Sequence, residues 1–150
     1  MGLIVNKPAP GLRMTDLLEQ LDIPRGNAAG DVRVYFGGPV EHGRGFVLHS
    51  GDYQKTEATI QVDEKFGMTA TLDILQDMAR GDGPDQKILA LRYSGWGPLQ
   101  LEDEINRNGW LICDANPEIV FASKDDRKWL AAIRSLGIDP LMLSPTAGRA

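Results

Sequence analysis

The sequence predicts an α+β fold built on a mixed or antiparallel sheet. Three observations lead there. Short runs of alternating apolar and polar residues, such as DVRVYF at Asp31–Phe36 and ATIQV at Ala58–Val62, have the two-residue period of half-buried strands. TLDILQDMA at Thr71–Ala79 and DRKWLAAIRSL at Asp126–Leu136 space their apolar residues as helices that bury one face. The two kinds of segment mix without the strict alternation that a doubly wound parallel sheet requires.

Taken in order, Gly2–Lys7 (GLIVNK) is a short β-branched run ended by Pro8, and reads as a strand. Thr15–Leu21 (TDLLEQL) reads as a short helix: Thr15 suits the N-cap, Asp16 and Glu19 suit the first turn, and Pro24 bars any extension. Asp31–Phe36 is the next strand. Gly45–His49 (GFVLH) is its neighbour, with Gly37–Arg44 as the connecting loop. Ala58–Val62 is a further strand. In the helix Thr71–Ala79, Leu72, Leu75 and Ala79 share one face, and Gly81 is placed to take the left-handed position past the end. Lys87–Ser94 (KILALRYS) has an apolar centre with little alternation, the pattern of a strand covered on both faces.

Pro98–Asn108 is the next helix, with Pro98 at its first position and Gly109 just beyond its end. Trp110–Cys113 (WLIC) and Glu118–Ala122 (EIVFA) read as strands split by Asn116-Pro117. Ser123 and Asp126 form a capping-box-like pair, with Asp in place of the usual Glu or Gln. They open a helix whose stripe is Trp129, Leu130, Ile133 and Leu136, closed by Gly137 and Pro140. The tail SPTAGRA has little to pack and is expected to be mobile.

The chain has 150 residues, enough for one domain with its own core, since a chain this long buries roughly 70% of its unfolded surface. Its 17 glycines and 9 prolines imply many tight turns. The net charge of −5 is a poor match for nucleic acid, whose phosphates must be met by lysine and arginine. The densest basic stretch, Lys124–Arg134, is thin and mixed with acids. Cys113 is the single cysteine, so no internal disulfide forms, which fits a reducing cytosol. No apolar run approaches the roughly 20 residues of a membrane span, and the N-terminus lacks a signal-peptide pattern. A cytoplasmic location is expected, without membrane association.

The richest stretch for chemistry is YSGWGPLQLEDEINRNGW, Tyr93–Trp110. On a helix, Gln100, Glu104 and Asn108 fall at i, i+4 and i+8 and project from one face, while Leu101 and Ile105 point to the core. That polar face suits a ligand, and equally an ordinary solvated helix side. Glu102 and Glu104 are two apart and diverge, unlike a catalytic pair that flanks one bond. Ser94 sits at a strand-to-helix turn, but a nucleophile elbow needs glycines where Arg92 and Trp96 stand. The glycine-rich FGGPVEHGRGF lacks the lysine and Ser/Thr of a phosphate loop. His42 and His49 are the only histidines, and without cysteine partners or metal-binding spacing they predict no metal site and no cofactor. His49 closes an apolar strand, where it is a structural histidine or, beside an acid, a general base.

GLIVNKP, FGGPV, GFVLHS, YSGWGPLQLEDEINRNGWL and the closing AGRA, in this order and spacing, resemble the bacterial YqgE/AlgH family over essentially the whole chain. The resemblance implies a single domain over 1–150 with an α+β fold: a branched, partly barrel-like sheet surrounded by helices. Two departures stand out. The family runs Gly-Gln-Leu-Glu where this chain has Leu99 before Gln100. Its members also carry roughly thirty residues ahead of the GLIVNKP strand, so this chain is expected to lack the family's N-terminal segment and to leave that strand with an open edge. The family implies no chemistry. Some members are labelled transcriptional regulators, yet no helix-turn-helix signature accompanies the resemblance here.

Three functions emerge as expectations. The favoured one is a non-enzymatic cytosolic regulatory protein that binds a small ligand or a protein through Gly37, Gly38, Pro39, His49, Tyr93, Trp96, Gln100, Glu104 and Asn108, with Trp110 as a second apolar wall. The second is a small-molecule hydrolase with His49 as base and Glu102 or Glu104 as acid. The third is a direct DNA-binding regulator, which the charge disfavours.

Overall fold

The computed structural model describes residues 1–27, 32–55 and 57–143. The predicted tail and the first residue of the Asp31–Phe36 strand lie outside the described residues. The chain divides into two compact units. One is Gly2–Ser94, and the other covers residues 95–143 together with Met1.

Gly2–Ser94 holds a mixed sheet and two helices. The elements are β1 (Pro8–Arg13), α1 (Met14–Gln20), β2 (Arg33–Phe36), β3 (Val40–Ser50), β4 (Thr59–Gln61), β5 (Phe66–Thr69), α2 (Leu72–Arg80) and β6 (Lys87–Tyr93). The sheet order is β1-β2-β6-β3-β5-β4. The β2–β6 pair is parallel and the other pairs are antiparallel. The α+β class and the mixed sheet are as the sequence predicts. The sheet is open, six strands in one linear order, and does not close into a barrel.

The core arises from the patterning. Val34, Val47 and Leu89 from β2, β3 and β6 cluster with Met14 and Leu18 of α1 and Ile74, Leu75, Met78 and Ala79 of α2. Ile88 and Ala90, which alternate with Leu89, are also buried, so the non-alternating centre of β6 is covered on both faces. Gly81 ends α2 with φ 93°, its N–H bonded to the Asp77 carbonyl at 3.0 Å, the C-terminal cap that the sequence marks. Leu72 departs from its expected face: it is half exposed, and Ile74 and Met78 are buried instead.

Several segments differ from the sequence reading. Gly2–Lys7 is not a strand. Gly2 and Ser94 exchange two backbone hydrogen bonds of 2.8 Å, and the Ile4 N–H reaches the Gly37 carbonyl, but the continuous strand starts at Pro8. Pro8 and Pro10 are tolerated because β1 is an edge, where a missing N–H breaks no ladder. Gly37–Arg44 is only in part a loop: β3 begins at Val40, and a register irregularity between Val40 and Gly45 absorbs the polar EHGR run. β5 has no counterpart among the predicted strands, because Phe66–Thr69 is buried at every position and does not alternate. The first helix begins at Met14 rather than after a Thr15 cap. Met14 is fully buried, its N–H meets the Val32 carbonyl, and the Asp16 carboxylate accepts the Arg13 N–H at 2.7 Å.

Residues 95–143 contain α3 (Gln100–Asn106), a π-helical turn (Glu118–Ala122), α4 (Asp125–Ser135) and a 3-10 turn (Pro140–Met142). Pro98 lies ahead of the helix rather than at its first position: Leu99 is the N-cap, in a left-handed conformation. Trp110–Cys113 forms no strand among the described residues. Its aromatic and β-branched content suits a sheet, but strand propensity is realised only beside a partner. Glu118–Ala122 coils because its hydrogen bonds close locally, from Glu118 N to Asn116 Oδ1 and from Ser123 N to the Glu118 carbonyl. The expected Ser123–Asp126 box is replaced by Lys124 at the N-cap. In α4 the buried residues are Lys128 and Ile133, while Trp129 is 55% exposed, so the stripe is narrower than its periodicity suggests.

Candidate functional site

The Gly2–Ser94 unit holds a half-enclosed cavity of about 350 Å³. Leu17 of α1, Leu21 just past its end, Leu75 of α2, and Val47, Leu89 and Leu91 of the sheet form its apolar wall. The polar lining is Gln20, His42, Arg44, Thr69 and Thr71. The elements explain the mix. The irregular start of β3 carries His42–Gly45 to the cavity, and the Thr69-Ala70-Thr71 link brings in the start of α2. Among the described residues, no aspartate or glutamate lines it.

One polar feature of this cavity is unusual. Thr71 is the N-cap of α2 yet makes no side-chain cap bond, and its Oγ1 is buried with no hydrogen-bond partner among the described residues. A buried hydroxyl left so costs on the order of 1–3 kcal/mol. Arg44 borders the cavity, but its guanidinium lies over the Phe46 ring, 5.3 Å from its centroid, on the sheet face opposite Val47 and Leu89, with Nη1 3.4 Å from a Glu41 carboxylate oxygen. The pair is largely exposed, so it is screened and weak.

Sequence reasoning does not single out Arg44, Thr71 or the leucines. The available signal was the Thr-Ala-Thr junction just before a helix and the polar interruption EHGR inside an otherwise apolar strand.

Five of the predicted binding residues belong to this unit, and their settings are largely structural. An added Cβ on Gly37 would lie 2.5 Å from the Arg92 carbonyl oxygen, and one on Gly38 would lie 2.1 Å from the Tyr93 carbonyl carbon. Both glycines are required by backbone packed against backbone. Pro39 is exposed at the bend before β3. Tyr93 packs edge-on to Phe46 at 5.7 Å and reaches Glu41 at 3.4 Å. His49 is fully buried. Its Nδ1 lies 2.8 Å from the Ser50 carbonyl, which only accepts, so Nδ1 carries the hydrogen. Nε2 is then the acceptor for the Thr69 hydroxyl at 3.0 Å, and Thr59 Oγ1 lies 2.8 Å from Thr69 Oγ1. Both ring nitrogens are occupied by the fold.

The remaining predicted residues lie in the second unit. Glu104 accepts from the Trp96 indole at 3.2 Å, the Trp110 indole at 2.7 Å and the Gln100 amide at 2.9 Å. These donors hold its carboxyl below the usual glutamate range: Trp110 contributes most, then Gln100 and Trp96, against a smaller upward push from burial. The Gln100 side-chain oxygen accepts the Gly97 N–H at 3.0 Å. Asn108 is off the helix face, in a left-handed turn with φ 57°, two residues past the end of α3. Leu101 and Ile105 are half-buried, and Glu102 is exposed. The structure thus joins Trp96, Gln100 and Glu104 into one clip and leaves Asn108 out. Among the described residues no three metal-ligating side chains converge.

The family model described as AlgH-like matches residues 1–141. A UPF0301 protein of Cereibacter sphaeroides is 57% identical over 150 residues, covering 100% of this chain and 82% of the relative. A UPF0301 protein of Ruegeria pomeroyi is 59% identical over 151 residues, with the same coverage of both chains. The solution structure of the AlgH protein from Pseudomonas aeruginosa superposes with a TM-score of 0.78 at 37% identity, covering 100% of this chain and 79% of that one.

Proposed function

The chain belongs to the AlgH-like family, and from that premise we propose that it is a non-enzymatic cytosolic regulatory protein that binds a small ligand in the cavity beneath α1 and the start of α2. The observation that carries this reading is the cavity itself. It has an apolar wall, a few convergent polar groups and a volume of about 350 Å³, within the range of roughly 300–1,000 Å³ for small-molecule sites. Its lining offers hydroxyls and a histidine but, among the described residues, no carboxylate to serve as a partner acid. His49, the base of the hydrolase reading, has both nitrogens engaged by Ser50 and Thr69. Direct DNA binding gains no support: in the densest basic stretch Lys128 is buried and its Nζ pairs with Asp125 at 3.1 Å. No helix among the described residues is long and apolar enough to cross a membrane.

A thermal-shift screen of metabolites on the wild type, Leu72→Trp and Glu104→Ala tests this. Leu72 lines the cavity and is half exposed, so an indole there obstructs the mouth without disturbing the core. A ligand of the native state raises Tm by mass action. The expected hit survives Glu104→Ala and disappears in Leu72→Trp. The opposite pattern would move the site to the Trp96–Glu104–Trp110 clip. No hit on a well-folded protein ends the small-ligand reading.

A further inference from the structure

We propose that this cavity takes a small neutral ligand, a substituted single ring that enters with its hydrocarbon end first; the inference rests on the cavity being the binding site. Depth divides the lining. Val47, Thr69, Leu75 and Leu89 are buried and form the floor, whereas Gln20, His42 and Leu72 are exposed and stand at the mouth.

The floor presents no charge. Among the described residues no carboxylate lines the cavity. Arg44 borders it, but the guanidinium lies over Phe46, whose partner Ala90 alternates with Leu89 and Leu91, so the cation is on the sheet face away from the wall. An ion on the floor would have no counter-ion, and an unpaired charge is disfavoured in apolar surroundings far more than a few carbons are favoured.

The floor's side-chain hydroxyls are also spoken for. Thr69 gives its one hydrogen to His49 Nε2 at 3.0 Å, and Thr59 Oγ1 lies 2.8 Å away as a donor, so Thr69 has no hydrogen left for a ligand. Thr71 Oγ1 is out of reach of water, and so of a ligand atom entering by the same mouth. The deep end of the ligand therefore meets carbon. A polar group suits only its trailing end, where Gln20 and His42 meet solvent. Apolar cavities of roughly 150 Å³ take benzene, so about 350 Å³ leaves room for a ring with a short substituent.

The test uses four probes near pH 7: 4-ethylbenzamide, its near-isosteric anion 4-ethylbenzoate, its near-isosteric cation 4-ethylbenzamidinium, and benzamide. Each is titrated into the full chain while backbone N–H shifts are followed by NMR. 4-Ethylbenzamide is expected to move the signals of Val47, Leu89 and Thr69–Leu75, and to lose this effect in Leu72→Trp. Each ion is expected to bind at least about fivefold more weakly, and benzamide about tenfold more weakly, the loss of two carbons' worth of apolar burial. If either ion binds as tightly as 4-ethylbenzamide at those positions, or benzamide does, the neutral, hydrocarbon-first assignment is overturned while the cavity remains a site. If no probe moves those signals but a metabolite hit is lost in Leu72→Trp, the assignment alone falls. If neither a probe nor a metabolite binds there, the assignment and the cavity reading both fall.

Discussion

Trp96 and Trp110 meet edge to face at 5.8 Å and donate their indole N–H groups to the same atom, Oε2 of Glu104. The carboxylate therefore organises the loop before α3 and the segment after it. Its pKa is depressed in the fold, so its contribution is present above the unfolded glutamate value, near 4.5, and is lost as pH falls through the lower folded value. Acidification of the wild type is expected to change indole fluorescence as this clip opens. Glu104→Gln removes the titrating group, so this acid step should vanish, and Tm at neutral pH should fall because an amide oxygen kept under the two indoles leaves its NH2 facing the Gln100 amide donor. A Trp129→Phe background removes the exposed third tryptophan from the signal. Identical acid profiles with and without Glu104 would show that the clip does not hold the tryptophans.

Tyr53 carries the opposite pH dependence. Its ring is 3% exposed, and its hydroxyl donates to Asp77 Oδ2 at 2.9 Å. Burial first, then the hydrogen bond to Asp77 and that residue's charge, push its pKa up to about 12. A raised acid contributes stability that is complete below the unfolded value of 10.0 and is lost as pH rises toward 12. Tyr53→Phe should cost about 1 kcal/mol at pH 7. Asp77 keeps Arg80 at 3.0 Å and Lys55 at 3.7 Å, so it is not orphaned. Urea titrations in steps from pH 9.5 to 12 should show the wild type and the variant converging; a constant gap excludes Tyr53 as the titrating group.

Gly67 in β5 sits directly opposite His49 in β3. A Cβ there would lie 2.5 Å from His49 Cε1 and 3.1 Å from both ring nitrogens. The ring has no easy retreat, because Ser50 and Thr69 hold its two nitrogens and Tyr53 packs edge-on at 5.3 Å. Gly67→Ala should destabilise by about 1–3 kcal/mol through overpacking. In a His49→Ala background the obstacle is gone and the cost should shrink, a coupling that a double-mutant cycle measures. An equal cost in both backgrounds would place the strain in the strand backbone instead.

What could be read from the sequence depended on how local its cause is. The cap at Gly81, the helix before it and the doubly covered β6 were legible, because each is dictated by residues within one turn or one strand. Gly2–Lys7, Trp110–Cys113 and Glu118–Ala122 were not. Their strand-like composition is realised only beside a partner strand, and pairing is a tertiary fact. β5 escaped for a related reason, since full burial erases alternation. The site was less legible still. Its leucines come from α1, α2 and the sheet and are indistinguishable in sequence from core leucines. The tryptophan clip was visible as composition, but Glu104 as a shared acceptor required the fold.

Leu99 sits in the left-handed region, φ 61° and ψ 0°, at the N-cap of α3, and its side chain is 73% exposed. A side chain with a Cβ costs roughly 1–2 kcal/mol there, and the exposed leucine recovers little of that by burial. Glycine is the residue with no such penalty. Leu99→Gly should therefore stabilise the protein by about 0.5–1 kcal/mol, the relief of strain less the extra freedom glycine gives the unfolded chain. Leu99→Ala is the discriminating control, because it removes the exposed side chain and keeps the Cβ. Chemical denaturation of the three proteins separates the causes. A gain with glycine alone locates the penalty in the backbone. Equal behaviour of alanine and glycine would mean that the exposed leucine, not its left-handed conformation, is what the substitution relieves.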